Sequence, residues 1–161
     1  EDAVREWLKC SQLRPNTKSY VESLIKAGLV NRSMTRDINW GLPVPLNDPE
    51  AKNKVMYVWF DAPVGYISNT KQVLEERGEG EKKYLDWWSG DSQIVHFIGE
   101  DNTIFHCLNW IAMLHIHGKY NLPHAVVVNH FMNIKKNDEV EKIRNKILSA
   151  VKSKFGASIK S

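Results

Sequence analysis

Residues 55–60 read VMYVWF, and residues 61–63 read DAP directly after them. An almost unbroken run of apolar and aromatic residues is typical of a strand that is buried on both faces of a parallel sheet. Asp61 and Pro63 are residue types that begin helices, so a helix is predicted to follow and to continue to about Glu76. This stretch therefore predicts one strand-to-helix step of an α/β fold.

The same pattern occurs twice more along the chain. Residues 94–98 read IVHFI and precede a predicted helix over residues 103–117, and residues 125–128 read AVVV. Three buried strands separated by helices predict a Rossmann-like, doubly wound parallel sheet with right-handed crossovers. Ligands of such sheets bind at the carboxyl ends of the strands. Three segments follow those ends: residues 61–66, 99–106 and 129–131.

The two ends of the chain are predicted to be helical. Apolar spacing and turn residues predict helices over residues 1–10 and 17–27, and a long loop rich in glycine and proline over residues 29–54. An amphipathic helix is predicted over residues 138–155. Its apolar stripe consists of Val140, Ile143, Ile147, Val151 and Phe155.

Composition narrows the class of protein. A chain of 161 residues with 42% hydrophobic and 25% charged residues is typical of a globular domain and excludes disordered and collagen-like classes. No membrane span is expected, because no apolar run approaches the roughly 20 residues a span needs. No signal peptide is expected either, because residues 1–10 are acidic and amphipathic rather than a basic stretch followed by an apolar core. Two cysteines without CxxC spacing favour a reducing cytoplasm, and a net charge of +3 is too small to identify an anionic partner.

Two groups of residues are candidates for a site. Trp59, Ala62, Pro63 and Tyr66 can wall an apolar slot, although rings at this spacing also build ordinary cores.

The second group follows the strand at residues 94–98. Gly99 permits close backbone approach, and Asp101 can accept a hydrogen bond from a ribose hydroxyl or simply cap a helix. Four-residue spacing places His106 and Trp110 on one face of the predicted helix.

Other chemistries find little support in the sequence. Five histidines (His96, His115, His117, His124 and His130) lack HExxH spacing and a cysteine partner, so no metal site is expected. Neither a nucleophile elbow nor a glycine-rich phosphate loop occurs. The basic residues beyond position 141 are best explained as a solvated helix face, with a phosphate backbone as the alternative.

Three motifs in order carry a family resemblance: YVWFDAPVGYIS at residues 57–68, HFIGEDN at residues 96–102, and the pair Phe105-His106. Together they resemble methionyl-tRNA synthetases, which are class I aminoacyl-tRNA synthetases, over about residues 3–133. Residues 32–41 are similar to the segment that returns from the family's inserted domain, and residues 126–131 resemble a later core strand.

The resemblance implies the second half of a Rossmann-like catalytic domain. It divides the chain into a helical and loop segment over 1–54, a catalytic-core half over 55–133, and an amphipathic tail over 134–161. The implied activity is ATP-dependent activation of methionine with Mg²⁺, followed by transfer to tRNA for protein synthesis. Methionine, ATP and tRNA are thus the implied partners, with no zinc site and no membrane.

The resemblance also assigns site residues one by one. Gly99 and Asp101 would contact the ribose and adenine of ATP, and Arg36 and Asp37 would lie near the mouth of the site. The methionine side chain would be held by Trp59, Ala62, Pro63, Tyr66, His106 and Trp110.

Several features depart from the family pattern. The HIGH-type motif is absent, residues 134–139 read IKKNDE where the KMSKS-type loop is expected, Glu100 replaces a lysine, and Ile111 replaces a proline. Since adenylate formation depends on electrostatic stabilisation, we expect this chain alone to activate methionine poorly. The alternative is a noncatalytic methionine-binding or interaction module, completed by an N-terminal half or by self-association. A third alternative, a general nucleotide-binding protein, would need a phosphate-binding loop, and the sequence shows none.

Overall fold

The computed structural model describes residues 1–131, 142–147 and 149. The chain forms two units, Glu1–His130 and Phe131–Ser161. In the second unit, residues 142–147 are helical. Ile143 and Ile147, two members of the predicted apolar stripe, are exposed there.

The remaining members of that stripe, Val140, Val151 and Phe155, lie outside the described residues. So do residues 134–139, where the mobile loop of the family is expected. The predicted tail is therefore described only in its central turns.

Two helices open the first unit. Helix α1 (Asp2–Cys10) buries Val4, Trp7 and Leu8 at helical spacing, and helix α2 (Pro15–Ala27) buries Thr17, Val21 and Ile25. Proline at the start of α2 suits the first helical turn, where its missing N–H is not needed. Both predicted helices are confirmed within about two residues.

The predicted long loop contains two short elements. Strand β1 (Thr35–Arg36) pairs antiparallel with strand β2 (Val55–Met56). A 3₁₀ turn covers Pro49–Ala51, where Asp48 accepts a hydrogen bond from the Glu50 amide.

The predicted buried strand over residues 55–60 is wrong beyond Met56. Helix α3 (Val58–Asp61) begins directly after β2, and the Ala62 amide donates to the Val58 carbonyl at 2.7 Å. Val58 is 66% exposed and Trp59 is 45% exposed, so neither side chain is enclosed by a sheet. A short apolar run reads the same for a strand as for a helical turn whose rings border a cavity, which explains the error.

Two further helices follow. Helix α4 (Val64–Glu76) ends where the sequence predicts, and helix α5 (Leu85–Trp88) is a single short turn. Helix α4 buries Ile67 and Leu74. It therefore presents a narrow apolar side to the rest of the unit.

A parallel strand pair forms a second two-stranded sheet in this unit. Strand β3 (Val95–Gly99) pairs with strand β4 (Ala125–Asn129), with Val95 opposite Ala125 and Gly99 opposite Asn129. Both strands lie within one residue of their predicted positions. The α/β class with parallel strands is therefore confirmed, while the described residues contain two parallel strands rather than the three expected.

The connection from β3 to β4 is helical. A 3₁₀ turn (Glu100–Asn102) leads into a π-helical turn (Phe105–Asn109) and helix α6 (Trp110–His117). Gly118 ends α6 with a φ of 72°, a left-handed conformation that glycine adopts at little cost.

Two apolar clusters hold the unit together. The first packs α1 and α2 against β3, β4 and α6, and the indole of Trp7 donates to the Pro123 carbonyl at 2.6 Å. The second consists of Ile67, Trp88, Trp110 and Leu114. None of the described helices is both long and apolar enough to cross a bilayer.

Candidate functional site

A cavity of about 260 Å³ lies at the carboxyl end of β3. This volume is slightly below the roughly 300–1,000 Å³ of sites for drug-sized ligands, so it suits a small molecule. Six of the residues nominated from sequence line it: Trp59, Ala62, Pro63, Tyr66, Gly99 and His106. The structure thus brings together residues that lie up to 47 positions apart in the sequence, from Trp59 to His106.

Four lining residues were not nominated: Phe97, Ile98, Asn102 and Phe105. Phe105 directly precedes His106, and Asn102 belongs to the turn that follows β3. Both residues could therefore have been predicted from their positions next to nominated residues after the strand. Phe97 and Ile98 lie in the motif at residues 96–102, but a strand pattern alone does not show which of its faces meets a cavity.

One wall of the cavity is a ring pair. Trp59 from α3 and Phe105 from the π-helical turn stack with centroids 5.7 Å apart and planes inclined by 26°. Offset stacking at this distance is favourable for aromatic rings. The pair presents polarizable faces to whatever occupies the cavity.

The cavity lining also contains a hydrogen-bonded pair. His106 Nδ1 lies 3.1 Å from the Asn102 carbonyl oxygen, and His106 Nε2 lies 3.0 Å from the Tyr66 hydroxyl. A carbonyl only accepts, so Nδ1 carries the hydrogen, and in the neutral ring Nε2 accepts from Tyr66. The hydroxyl hydrogen of Tyr66 is thus committed to His106.

Burial keeps the imidazole of His106 uncharged. It lowers the pKa of His106, while the hydrogen bond to the Asn102 carbonyl acts in the opposite direction. Among the described residues that line the cavity, none then carries a full charge near neutral pH. Such a cavity favours an uncharged, largely apolar side chain.

His96 lies behind this pair. Its ring centroid is 5.2 Å from that of Tyr66 and 5.3 Å from that of His106. Burial, and then the charge of His106, lowers the pKa of His96 to about 4. Three rings from β3, α4 and the π-helical turn therefore form one neutral cluster.

Gly99 and Asp101 form the edge of the site nominated for a nucleotide. A Cβ on Gly99 would lie 2.8 Å from Asp101 Oδ1, so the absence of a side chain lets the carboxylate lie close over the backbone. Gly99 has an ordinary φ of −76°, so space rather than conformation requires glycine. Asp101 is exposed and also accepts from the Asn102 amide at 3.2 Å.

Glu100 is paired with His130. His130 Nδ1 donates to Glu100 Oε2 at 2.5 Å, and the Asn16 amide donates to His130 Nε2 at 3.0 Å. Because Glu100 follows β3 and His130 follows β4, the pair links the carboxyl ends of the two parallel strands. The negative charge of Glu100 is thus partly offset by a neighbouring donor.

Trp110 is placed apart from the other nominated residues. It is 1% exposed, meets Trp88 edge-on at 6.3 Å and lines a separate cavity of about 310 Å³. The sequence expectation assumed regular α-helical spacing from His106 to Trp110. A π-helical turn lies between them, and its wider turn changes which side chains share a face.

Arg36 and Asp37 also lie outside the cavity lining. The Arg36 guanidinium sits 3.7 Å from the centroid of the Tyr57 ring, and Asp37 pairs with Lys54 at 2.7 Å. No group of three or more His, Cys, Asp or Glu in the described residues is placed to hold a metal ion.

The comparisons with known proteins decide the family. The model of the class I tRNA synthetases (M) matches residues 1–153. The chain belongs to this family. The resemblance seen in the sequence motifs is therefore confirmed.

The sequence identity to curated methionine–tRNA ligases shows how similar the chain is to members of this family. The chain is 41% identical over 145 residues to the methionine–tRNA ligase of Pyrococcus furiosus, covering 83% of this chain and 20% of the relative. It is 41% identical over 148 residues to that of Parabacteroides distasonis, covering 90% of this chain and again 20% of the relative. The chain thus spans about a fifth of the length of these synthetases.

A solved synthetase supports the fold. The crystal structure of Mycobacterium tuberculosis methionyl-tRNA synthetase bound by methionyl-adenylate matches with a TM-score of 0.64 and 26% identity, over 84% of this chain and 25% of that chain. This match confirms the partial Rossmann-like α/β class predicted from sequence.

Proposed function

We propose that this chain supplies the methionine side-chain pocket and part of the adenosine edge of a methionine–tRNA ligase catalytic domain. The observation that carries the proposal is the small, uncharged cavity walled by the Trp59–Phe105 stack and the Tyr66–His106 pair. Family membership supplies the reaction class, and the cavity supplies a place for the amino acid.

The chemistry of the cavity suits a thioether. A methionine side chain is flexible and polarizable, and sulfur gains energy against ring edges and faces such as those of Trp59 and Phe105. A charged side chain would lose its hydration without meeting an opposite charge. Discrimination against apolar side chains of similar size would be modest, because shape alone separates them weakly.

The nucleotide would lie along the end of β3. The exposed Asp101 carboxylate can accept from a ribose hydroxyl, and Gly99 leaves room for the sugar to approach the backbone. ATP would bring Mg²⁺ on its phosphates, where the ion would offset their negative charge. The described residues fit the sugar better than the metal, since they provide no ligand cluster.

Binding of methionine by this chain does not by itself imply activation of methionine. The sequence lacks HIGH-type and KMSKS-type motifs, which carry the phosphate chemistry implied by the family resemblance. We therefore propose that the chain binds methionine but activates it inefficiently by itself. We also propose that the complete catalytic domain transfers methionine to tRNA. A cytoplasmic location is proposed as well, in keeping with the two free cysteines.

A noncatalytic binding or interaction module is the second candidate. The Glu100–His130 pair favours it, because it places a carboxylate at the strand ends where nucleotide phosphates would approach. Exposed apolar side chains on β3, Val95 and Phe97, are consistent with covering by another segment or copy.

Isothermal calorimetry of the full chain with L-methionine tests the proposal. Trp59→Ala and His106→Ala should each weaken binding by about tenfold or more, because each removes a wall of the cavity. Trp87→Ala is the matched control, since Trp87 is 61% exposed on α5 and should leave affinity unchanged. Absence of heat with folded wild-type protein, or equal losses in all three variants, would contradict the pocket.

A further inference from the structure

His96 combines burial with an unpaired nitrogen. It is 7% exposed, and within the described part of the chain its Nε2 atom is buried without a hydrogen-bond partner. Buried polar atoms are nearly always paired, because an unpaired one loses its hydration for no return. A phenylalanine would fill a similar space without this cost. The presence of an imidazole at position 96 therefore indicates that one of its nitrogens has a role.

The hydrogen bonds around the cavity indicate what that role is. Tyr66 has a single hydroxyl hydrogen, which it donates in a hydrogen bond to His106 Nε2. A thioether sulfur is an acceptor only. If Tyr66 turns its hydroxyl to an acceptor in the cavity, His106 Nε2 loses its donor, while Nδ1 stays bound to the Asn102 carbonyl.

The ring of His96 is placed to compensate. It meets the ring of His106 edge-on, at 67° between planes and 5.3 Å between centroids, and it also contacts Tyr66. In an edge-on arrangement a ring N–H can point at a neighbouring ring nitrogen. His106 and Tyr66 are the titratable groups in ring contact with it, and neither offers a carboxylate that would charge it.

We propose that His96 is a positioning residue that acts as the reserve hydrogen-bond donor to His106. When an acceptor such as a thioether sulfur takes the Tyr66 hydroxyl, His96 Nε2–H donates to His106 Nε2 in its place. No bond is made or broken and no proton changes owner. His106 therefore keeps its orientation and tautomer in both the empty and the filled cavity. The inference rests on the proposed binding of methionine.

The neutrality of His96 agrees with this role. Its low pKa, near 4, keeps the ring uncharged at physiological pH, so it carries one N–H and one bare nitrogen. A charged ring beside His106 would instead destabilise the pair.

Two substitutions separate donation from ring packing. His96→Phe keeps the ring shape and removes the donor, whereas His96→Gln keeps an N–H donor and removes the ring. The donor role predicts about tenfold weaker methionine binding for His96→Phe, the size of one lost neutral hydrogen bond, and a loss of less than about threefold for His96→Gln. Equal losses in both variants, or unchanged affinity in His96→Phe, would overturn it.

A second readout uses the wild-type chain and needs no variant to fold. Long-range ¹H–¹⁵N spectra of the imidazoles, recorded with and without L-methionine, report which nitrogen of each ring is protonated and hydrogen-bonded. We expect His96 Nε2 to carry hydrogen throughout and to shift on binding, while His106 keeps its Nδ1–H tautomer. Methionine binding with unchanged His96 nitrogens overturns the inference alone. Failure of the folded wild type to bind methionine overturns the proposed function and the inference together.

Discussion

Tyr66 and His106 are 40 residues apart in the sequence, and their side chains are joined by a hydrogen bond of 3.0 Å. Tyr66 comes from the first turn of α4, and His106 comes from the π-helical turn after β3. The bond therefore ties two separate helical segments together beside the cavity. The Asn102 carbonyl sets the tautomer of the histidine, and the hydroxyl of Tyr66 pairs its remaining ring nitrogen.

The first prediction concerns this bond. Tyr66→Phe in a His96→Phe background keeps both rings and removes both donors available to His106 Nε2, and the reference protein is His96→Phe alone. We expect the free energy of unfolding to fall by about 1 kcal/mol, the net value of one hydrogen bond, as measured by urea denaturation. Tyr20→Phe is the control, because Tyr20 is 45% exposed on α2. Equal stability of the double variant and His96→Phe would show that the bond does not form in solution.

The second prediction is a dependence of stability on pH. His96 has a pKa of about 4 in the folded chain, against 6.5 for an ordinary histidine, so the unfolded chain binds a proton more readily. The stability due to the neutral ring is thus fully present above about pH 6.5 and is lost as the pH falls toward 4. The difference between these two pKa values corresponds to at most about 3–4 kcal/mol. His106, whose pKa is also lowered, contributes with the same sign.

Denaturant titrations between pH 4 and pH 7.5 measure this dependence. The His96→Phe variant should show a shallower rise in stability with pH, since one of the two titrating groups is gone. A slope identical to that of the wild type would mean that His96 titrates normally in the folded chain.

The third prediction concerns thiol reactivity. Cys107 is 0% exposed and burial raises the pKa of its thiol to about 12, whereas Cys10 is exposed. The thiolate is the reactive form, so a disulfide-exchange reagent should label one cysteine quickly in the native chain and both in denaturant. Cys10→Ser should abolish the fast phase. A fast native phase that survives in Cys10→Ser would show that the core around Cys107 opens.

The fourth prediction concerns the indole bond that closes the first apolar cluster. Trp7→Phe removes the donor to the Pro123 carbonyl, a contact that spans 116 residues, and leaves a buried acceptor unpaired. We expect a loss of about 1–3 kcal/mol in the free energy of unfolding. Trp87→Phe, at a residue 61% exposed, should change stability by less than about 0.5 kcal/mol. Similar losses in the two variants would argue against the bond.

The fifth prediction concerns the nucleotide edge. Glu100→Lys replaces the carboxylate bound to His130 by a cation at the end of β3. If phosphates approach this edge, ATP affinity measured by equilibrium dialysis should rise in Glu100→Lys by more than in Glu100→Gln, since only the former adds attraction. Equal affinity in all three proteins would place the phosphates elsewhere.

Sequence patterns predicted the elements whose signals are local. Residues 94–98 and 125–128 alternate or run apolar between turn residues, and both are strands, in parallel register, as expected. The strand predicted over residues 55–60 was wrong beyond Met56, because the chain there turns into α3 and Trp59 borders the cavity instead of filling a sheet. Local hydrophobicity does not distinguish these two placements.

The site was predictable where residues are neighbours in the chain and less so where they meet through the fold. Ala62 and Pro63 follow from the motif around Trp59, but nothing local indicates that Tyr66 bonds to His106. Trp110 was grouped with His106 on α-helical spacing, and the π-helical turn between them could not be read from composition. The placement of His96 behind the pair likewise depends on tertiary packing.

The most direct test of the central claim is a set of intermolecular NOEs from L-methionine carrying a ¹³C-labelled ε-methyl group. We expect NOEs from that methyl to ring protons of Trp59, Tyr66 and His106, which line the cavity at the end of β3. NOEs to Trp110 and Tyr120 instead would place the amino acid in the separate cavity beside α6. That result, or the absence of any intermolecular NOE from folded protein at saturating methionine, would contradict the account.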